Sequence, residues 1–555
     1  MLGGRFYERL REALMRVAEF IGNSTAEHMV VQAAAAENPL AATFPGLMTQ
    51  DERKRALANV RRQLDSGALT LPAPLVDCLE LQLHNMTSAC IEALARLEEN
   101  KGAICDALLE GRRFRAIEDV ELLAGDAHNC GRRVAVFSTD AGKLVYKPHD
   151  MRLDEQIRKF TERFFGEFVG IPRSIAFGDS FGVAEFIEKR RAEGDEEARC
   201  FWRAMGGLAA FAKLMGSTDL HLQNILCHGA KPYIVDLETI LSPVFSERAP
   251  MRSSGAHESV TRPIVSSLIM PFKVEDTELS VLVNTEEDGI APIVDGQIVT
   301  VLPYLSAFEE GYRAAYAHAV EQREAIREAV LSFPPDAKVR VVLRPTRAYW
   351  LLLEKLCHHA ALASQESRQR SMERLGGLLR EGAANMQAAI IDSEVEQMRR
   401  GDVPYFHTRI NSLSLFSREE ELVPGRFSVS ATDYVLDTLN ALGGEDERFD
   451  LACIARAVGK RSPDARGTKP GKTACERWEA TEVPLSPKTA AEEAKNLLEE
   501  MHALGIEKPG GHMAWGYTDP VSQAFAFCGP GLYDGYAGLA VFACACAAAR
   551  PDAQV

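Results

Sequence analysis

Apolar side chains recur every three or four positions through the first 120 residues. Leu10, Leu14, Val17, Phe20 and Ile21 draw one stripe, and Leu79, Leu81, Ile91, Leu94 and Leu97 draw others. That spacing predicts amphipathic helices, with Pro72-Ala73-Pro74 as a break. From Val134 the period shortens. Val134-Ala135-Val136-Phe137 and Leu144-Val145-Tyr146-Lys147 flank a turn through residues 138–142, the signature of a hairpin. A helix is expected over residues 153–168, where Leu153, Ile157, Phe160, Phe164 and Phe168 share a side. Strands are expected at Ser174–Phe177 and at 183–187, then a long apolar helix at 201–215. Farther along, residues 339–343 read as a strand and 348–364 as a helix carrying His358-His359. Successive helical residues diverge by about 100°, which argues against joint metal binding by that pair. Residues 246–262 and 442–489 are polar or rich in charge, Gly and Pro, and read as exposed connections.

The helix at 201–215 leads into the most informative stretch of the chain, Ser217-Thr218-Asp219-Leu220-His221-Leu222-Gln223-Asn224. A second hairpin follows: Ile225-Leu226-Cys227, a turn at Gly229-Ala230-Lys231-Pro232, then Tyr233-Ile234-Val235. It returns Asp236-Leu237-Glu238 toward the same polar loop. Phosphoryl transfer from ATP needs a carboxylate facing the substrate hydroxyl, and an Asn plus a second Asp to hold magnesium on the phosphates. The spacing matches the kinase order of catalytic loop, hairpin and metal-binding Asp. An Asp and Asn five apart occur by chance in loops; the hairpin and the second carboxylate give the pattern its weight. The Cys227-His228-Gly229 triplet imitates a zinc motif but occupies the hairpin and is read as part of it.

Bulk properties narrow the class. At 555 residues, three or four structural units are the expectation. A formal charge of −16 argues against a nucleic-acid partner, whose phosphates require a basic surface. The longest apolar run, residues 537–549, is too short to span a membrane. In it Cys544 and Cys546 read as small core residues. Twelve scattered cysteines without a C-x-x-C pair suit reduced thiols in a cytoplasm and no structural zinc. The N-terminus lacks a signal-peptide core.

Several segments then match one family in order: Gly125-Asp126-Ala127-His128-Asn129, Leu144-Val145-Tyr146-Lys147-Pro148, the 218–224 loop, Val235-Asp236-Leu237-Glu238, and Arg340-Val341-Val342-Leu343-Arg344-Pro345-Thr346. They resemble the dehydratase motifs of type 2 lanthipeptide synthetases, the LanM family. Gly401-Asp402-Val403-Pro404-Tyr405-Phe406 resembles a further family segment. Gly531-Leu532-Tyr533-Asp534-Gly535-Tyr536-Ala537-Gly538 resembles the opening of the LanC-like cyclase domain. The resemblance implies an α+β chain: a helical N-terminal region at 1–120, a lipid-kinase-like two-lobed dehydratase core at 121–440, a helical or linker segment at 441–505, and the start of a cyclase domain at 506–555. It further implies that Ser and Thr of a ribosomal precursor peptide, leader attached, are phosphorylated with ATP and magnesium. Phosphate is then eliminated, leaving dehydroalanine or dehydrobutyrine.

The residues receive roles on that footing. Lys147, ending a small-lobe strand, is expected to hold phosphate oxygens as a point charge, although most strand lysines merely face solvent. Asp219 is the candidate to orient or deprotonate the substrate hydroxyl. Asn224 and Asp236 are the expected magnesium ligands, as hard oxygen donors, with Glu238 a further carboxylate. His221 either points with Asp219 or bonds a backbone carbonyl as a core histidine. Arg340 and Thr346 match family positions tied to elimination, as do Asp126 and His128; an Arg fork suits a phosphate dianion and His a base near neutrality. Because the sequence stops at Val555, the later cyclase ligands have no counterpart. The expectation is therefore no zinc, no ring formation, an exposed apolar surface around Leu539-Ala540-Val541-Phe542, and a separate cyclase as partner. A phosphotransferase without elimination, and a non-catalytic leader-binding remnant, remain open as alternatives.

Overall fold

The computed structural model describes residues 2–36, 38–122, 125–246, 264–267, 269–274, 277–287, 289–381, 387–459, 487–508, 511–518, 524–529, 531 and 535–549. The first 120 residues are helical, as their periodicity predicts: α1 (Gly4–Ala35), the short α2 (Leu40–Thr43), α3 (Gln50–Asp65), α4 (Ala73–Glu99) and α5 (Lys101–Leu108). A capping box starts α3, in which the Thr49 hydroxyl accepts from the Glu52 amide and Glu52 reaches back to the Thr49 amide. Pro72 and Pro74 do not break a helix but begin one, where a proline costs no hydrogen bond. The stripe on α1 turns farther than expected: Phe6, Ala13 and Ile21 are buried, while Phe20 is 39% exposed and sets its ring edge-on to Trp350.

These helices share a core with an antiparallel sheet. β1 (Ile117–Glu121), β2 (Ala135–Thr139), β3 (Gly142–Lys147), β4 (Ser174–Phe177) and β5 (Phe181–Glu185) lie in the order β1-β2-β3-β5-β4. Phe6, Met86, Leu97 and Ile104 from the helices meet Phe137, Leu144, Tyr146 and Val183 from the sheet. The predicted β2–β3 hairpin forms in the register Val136↔Val145 and Phe137↔Leu144. Helix α6 (Arg152–Phe164) connects β3 to β4.

The central core is built on α7 (Gly194–Leu214) and α8 (Leu305–Glu321). The two helices approach so closely that only glycine fits. An added Cβ on Gly206 would lie 1.8 Å from the Phe308 carbonyl oxygen, and one on Gly311 would lie 1.8 Å from that of Arg203. One buried charge cluster ties the end of α7 to the helix Gly444–Gly459. Lys213 Nζ meets Asp446 at 2.5 Å and also contacts Asp450, while Tyr312 and Tyr316 each donate a 2.7 Å hydrogen bond to these carboxylates. Residues 444–459 are therefore core helix and not the exposed connection their charge suggested: two of those charges point inward to a lysine. Residues 460–486 lie outside the described residues, as do 247–263 of the expected polar loop.

The strand expected at 339–343 spans Lys338–Arg340, and it opens a four-stranded antiparallel sheet with His407–Arg409, Leu415–Ser417 and Glu420–Val423. The next helix, Thr346–Leu356, stops early. His358 is extended and caps a separate short helix, His359–Leu362. The two imidazoles consequently do not diverge as on a continuous helix. Their centroids are 4.1 Å apart, and His359 stacks on His28 at 4.2 Å. The terminal helix Tyr536–Ala549 exposes Val541 and Cys544, against the expectation that its cysteines are core. No helix among the described residues is long and apolar enough to cross a membrane.

Two stability outcomes follow from this packing. Gly206→Ala must push α7 and α8 apart and is expected to cost about 3 kcal/mol or more, the upper range for overpacking. Gly377→Ala, a helical glycine with nothing within 4 Å, should stabilise by up to ~1 kcal/mol; thermal unfolding of both variants checks the pair. The second concerns His407, 2% exposed and stacked on Phe416, whose pKa burial pushes down from 6.5 to about 4. As pH falls from about 6.5 to about 4, the unfolded chain takes the proton that the folded chain refuses, so stability is lost across that window. His407→Phe should remove this loss, shifting the stability difference in the variant's favour by up to about 3 kcal/mol between pH 7 and pH 4. A pH-independent difference in chemical denaturation would contradict it.

Candidate functional site

Helix α7 ends at Leu214, and Gly216 turns the chain with φ +63° against the Tyr434 ring, where a Cβ would lie 2.6 Å from a ring carbon. The loop that follows is fixed by its backbone. The Leu220 amide donates to the Ser267 carbonyl at 3.1 Å, and the Leu222 amide to that of Leu279 at 2.8 Å. Strands β6 (Ile225–His228) and β7 (Lys231–Ile234) form the expected hairpin, paired Ile225↔Ile234. Beyond it the Val235 amide donates to the Asn224 carbonyl at 3.0 Å, which sets Asp236 beside the loop.

Within the loop the Asn224 side-chain amide donates to the Asp219 carbonyl at 2.8 Å, leaving the Asn224 side-chain oxygen available as a ligand. His221 Nδ1 accepts from the Gln223 amide at 3.2 Å, and its Nε2 lies 3.5 Å from Asp219 Oδ1 and 3.4 Å from the Asn224 side-chain nitrogen. Of its two expected arrangements, His221 thus takes the one beside Asp219. Burial raises the pKa of the Asp219 carboxyl; Asp236 and Glu238 add to the rise, and His221 and Arg340 oppose it. Asp236 turns one oxygen to the Glu238 amide at 3.0 Å. Lys147 is buried at the end of β3. Its ammonium donates to the Val235 carbonyl at 2.7 Å and lies 3.9 Å from Asp154, so it is no solvent-facing lysine. Asp154 itself is pushed up to about 6 by burial.

A second group meets the first at Glu238. The Glu238 carbonyl accepts from the Arg340 amide at 2.8 Å, and its carboxylate lies 3.4 Å from the Arg340 guanidinium and 3.0 Å from His149 Nδ1. The guanidinium also sits over the Tyr405 ring, 5.5 Å from its centroid. His128 packs against the same ring, and its Nδ1 lies 2.7 Å from the Val403 carbonyl. Burial and the nearby Arg340 push His128 down to about 4, so it is neutral at neutral pH. Asp126 accepts from Trp350 Nε1 at 2.7 Å. The loop bearing Asp126 and His128 is pinned by Asp402, which accepts from the Cys130 and Gly131 amides at 2.6 and 2.8 Å. Asn129, Cys130 and Gly131 all have positive φ, a run of backbone that this pinning holds in place.

The sequence-predicted residues Lys147, Asp219, His221, Asn224, Asp236, Glu238, Arg340, His128 and Asp126 are therefore linked by contacts or direct electrostatic influence. Thr346 opens its helix, half-buried, and among the described residues no hydrogen bond joins it to the cluster. Three members escaped the sequence. His149, Asp154 and Trp350 carried no spacing signal, whereas Tyr405 stood in a noticed segment without a role. As to metals, no three His, Cys, Asp or Glu side chains among the described residues group as a cage. Asn224 and Asp236 supply hard oxygens on adjoining loops, which fits magnesium, an ion usually bound by one or two protein ligands together with phosphate oxygens.

Residues 73–290 and 279–409 match the family described as "Domain of unknown function (DUF4135)". Over 350 residues the chain is 24% identical to the lacticin 481/lactococcin biosynthesis protein LcnDR2 of Lactococcus lactis subsp. lactis, an alignment covering 54% of this chain and 37% of that protein. Of the segment resembling a cyclase opening, Leu532 to Asp534 lie outside the described residues. The family match spans more than half of the chain and contains every motif of the cluster: the chain belongs to the DUF4135 family, and that match together with the likeness to LcnDR2 supports a type 2 lanthipeptide synthetase.

Proposed function

We propose that this chain dehydrates Ser and Thr residues of a ribosomal precursor peptide in two steps at one site, within a kinase-like two-lobed core. The observation that carries the reading is the meeting of the two residue groups at Glu238. One group has the equipment of phosphoryl transfer and the other that of β-elimination, and they share a buried carboxylate.

In the first step Asp219 accepts the hydroxyl proton as the substrate oxygen bonds to the γ-phosphorus of ATP and ADP departs. The raised pKa of Asp219 suits it to this task, since a base works best with a pKa nearer the operating pH. His221 orients the Asp219 carboxylate, and Lys147 neutralises phosphate oxygens. Asn224 and Asp236 would hold magnesium, which when bound screens the charge gathering on the phosphates. In the second step a base removes the α-proton of the phosphorylated residue, its C–O bond breaks, and phosphate leaves. His128, neutral at pH 7, is that base, and Arg340 offers donors to the departing dianion. Asp126 and Thr346 are assigned to this step on family position. The leader of the peptide, a separate cyclase as partner and a cytoplasmic setting belong to the same proposal.

The test is the intact mass of a Ser/Thr-rich precursor peptide, leader attached, after incubation with Mg-ATP. Whole-water losses are expected. Asp219→Ala should leave the peptide unmodified, with phosphorylation reduced by at least about 100-fold. Arg340→Met should let phosphopeptide accumulate. Both variants stopping at unmodified peptide would show the assigned split to be wrong, and a stable gain of phosphate by the unaltered chain would make it a phosphotransferase without elimination.

A further inference from the structure

His149 belongs to no motif, yet its position is among the most constrained in the site. It follows Lys147-Pro148 at the end of β3, and its side chain is only 14% exposed. Nδ1 is engaged with Glu238 at 3.0 Å, whereas Nε2 is buried and, among the described residues, has no hydrogen-bond partner. Leaving a buried ring nitrogen unpaired costs on the order of 1–3 kcal/mol. Glu238 links His149 to Arg340, and Lys147 and Asp154 also act on its charge. Burial alone would lower the His149 pKa, but the Glu238 carboxylate outweighs it and raises the value, which favours a ring with N–H on both nitrogens. A doubly protonated imidazole offers that shielded nitrogen as a donor, and with Lys147 and Arg340 in the same cluster the fitting ligand is an oxyanion, that of a phosphoryl group.

We propose that His149 Nε2 is a phosphoryl-oxygen donor of this site, held in register by Glu238 and acting beside Lys147 and Arg340. The proposal rests on the phosphoryl-transfer reading for the identity of the ligand. The phosphoryl group has two sources there, the γ-phosphate of ATP and the phosphate ester of the modified peptide. Glu238 accordingly has a different task from a metal ligand: it positions two donors, one on each side.

Two substitutions separate donation from mere support of Glu238. In His149→Asn the amide takes the place of Nδ1, keeps the Glu238 contact and removes the outer donor. In His149→Gln the amide takes the place of Nε2 and restores a donor there without the Glu238 contact. Inorganic phosphate binding to the full chain, followed by 31P line broadening, and rates of phosphopeptide formation and decay are compared across wild type and both variants. The expected result is a 10–100-fold loss of phosphate affinity in the Asn variant, the range for a hydrogen bond to a charged group, with Gln recovering part of it. Slower phosphopeptide formation and a raised KM for ATP would assign the donor to the γ-phosphate; accumulation of phosphopeptide would assign it to the ester. The inference is overturned if Asn binds phosphate as wild type does, or if Asn is active and Gln is not, since that order marks His149 as support for Glu238 alone. Should no peptide be modified by any form while the phosphate affinities still follow this order, the donor stands and the dehydratase reading falls.

Discussion

The candidate site depends on keeping one buried carboxylate ionised. Glu238 is almost wholly out of solvent, and burial alone would protonate it, but His149 and Arg340 hold its pKa well below the usual carboxylate range. The converse also holds, because Arg340 is a buried cation whose nearest opposite charge is Glu238. Removing either partner strands the other, the most costly way to disturb a buried pair. Three parts of the chain far apart in sequence are joined through this group: the end of β3, the segment after β7, and the strand Lys338–Arg340. The backbone bond from Arg340 to Glu238 adds a geometric lock to the electrostatic one.

Much of this was legible in the sequence where the signal was local. Both hairpins, α7 and the loop between Asp219 and Asn224 were recoverable because strand and helix periods differ and because turns require particular residues. The failures share a cause, which is that tertiary partners decide. Residues 444–459 looked solvated from their charge, and no local rule could foresee Lys213 as the buried counter-ion of Asp446 and Asp450. His358 and His359 looked helical, but the chain leaves the helix at Cys357 and brings His28 from α1 against them. His149 escaped for the same reason: a histidine after Lys-Pro carries no information until Glu238 is placed against it.

The 401–406 segment shows how a motif can matter without touching the reaction. Asp402 binds two amides of a loop that contains three successive positive-φ residues, and the Val403 amide donates to the Ala127 carbonyl at 2.8 Å. Its carboxylate thus fixes the path of the chain between His128 and β2. The Val403 carbonyl then fixes the ring of His128, and Tyr405 offers its face to both His128 and Arg340. A loop strained in this way would otherwise relax, and the imidazole would lose its bearing on Arg340.

The remaining electrostatics give the reason for proposing a divalent cation at Asn224 and Asp236. Burial raises the pKa values of Asp154 and Asp219, and Asp236 and Glu238 add to each rise through a poorly screened interior. Lys147 offsets part of that repulsion for Asp154, and His221 for Asp219. A chain selecting only for stability would replace such carboxylates, because like charges crowded in low dielectric oppose folding. Their presence beside a lysine, an available amide oxygen and a buried histidine fits the proposal that the cluster shares its charge with magnesium and phosphate oxygens. In that arrangement the carboxylates, the metal and the phosphates balance together, and the repulsion seen in the protein alone becomes a source of binding affinity.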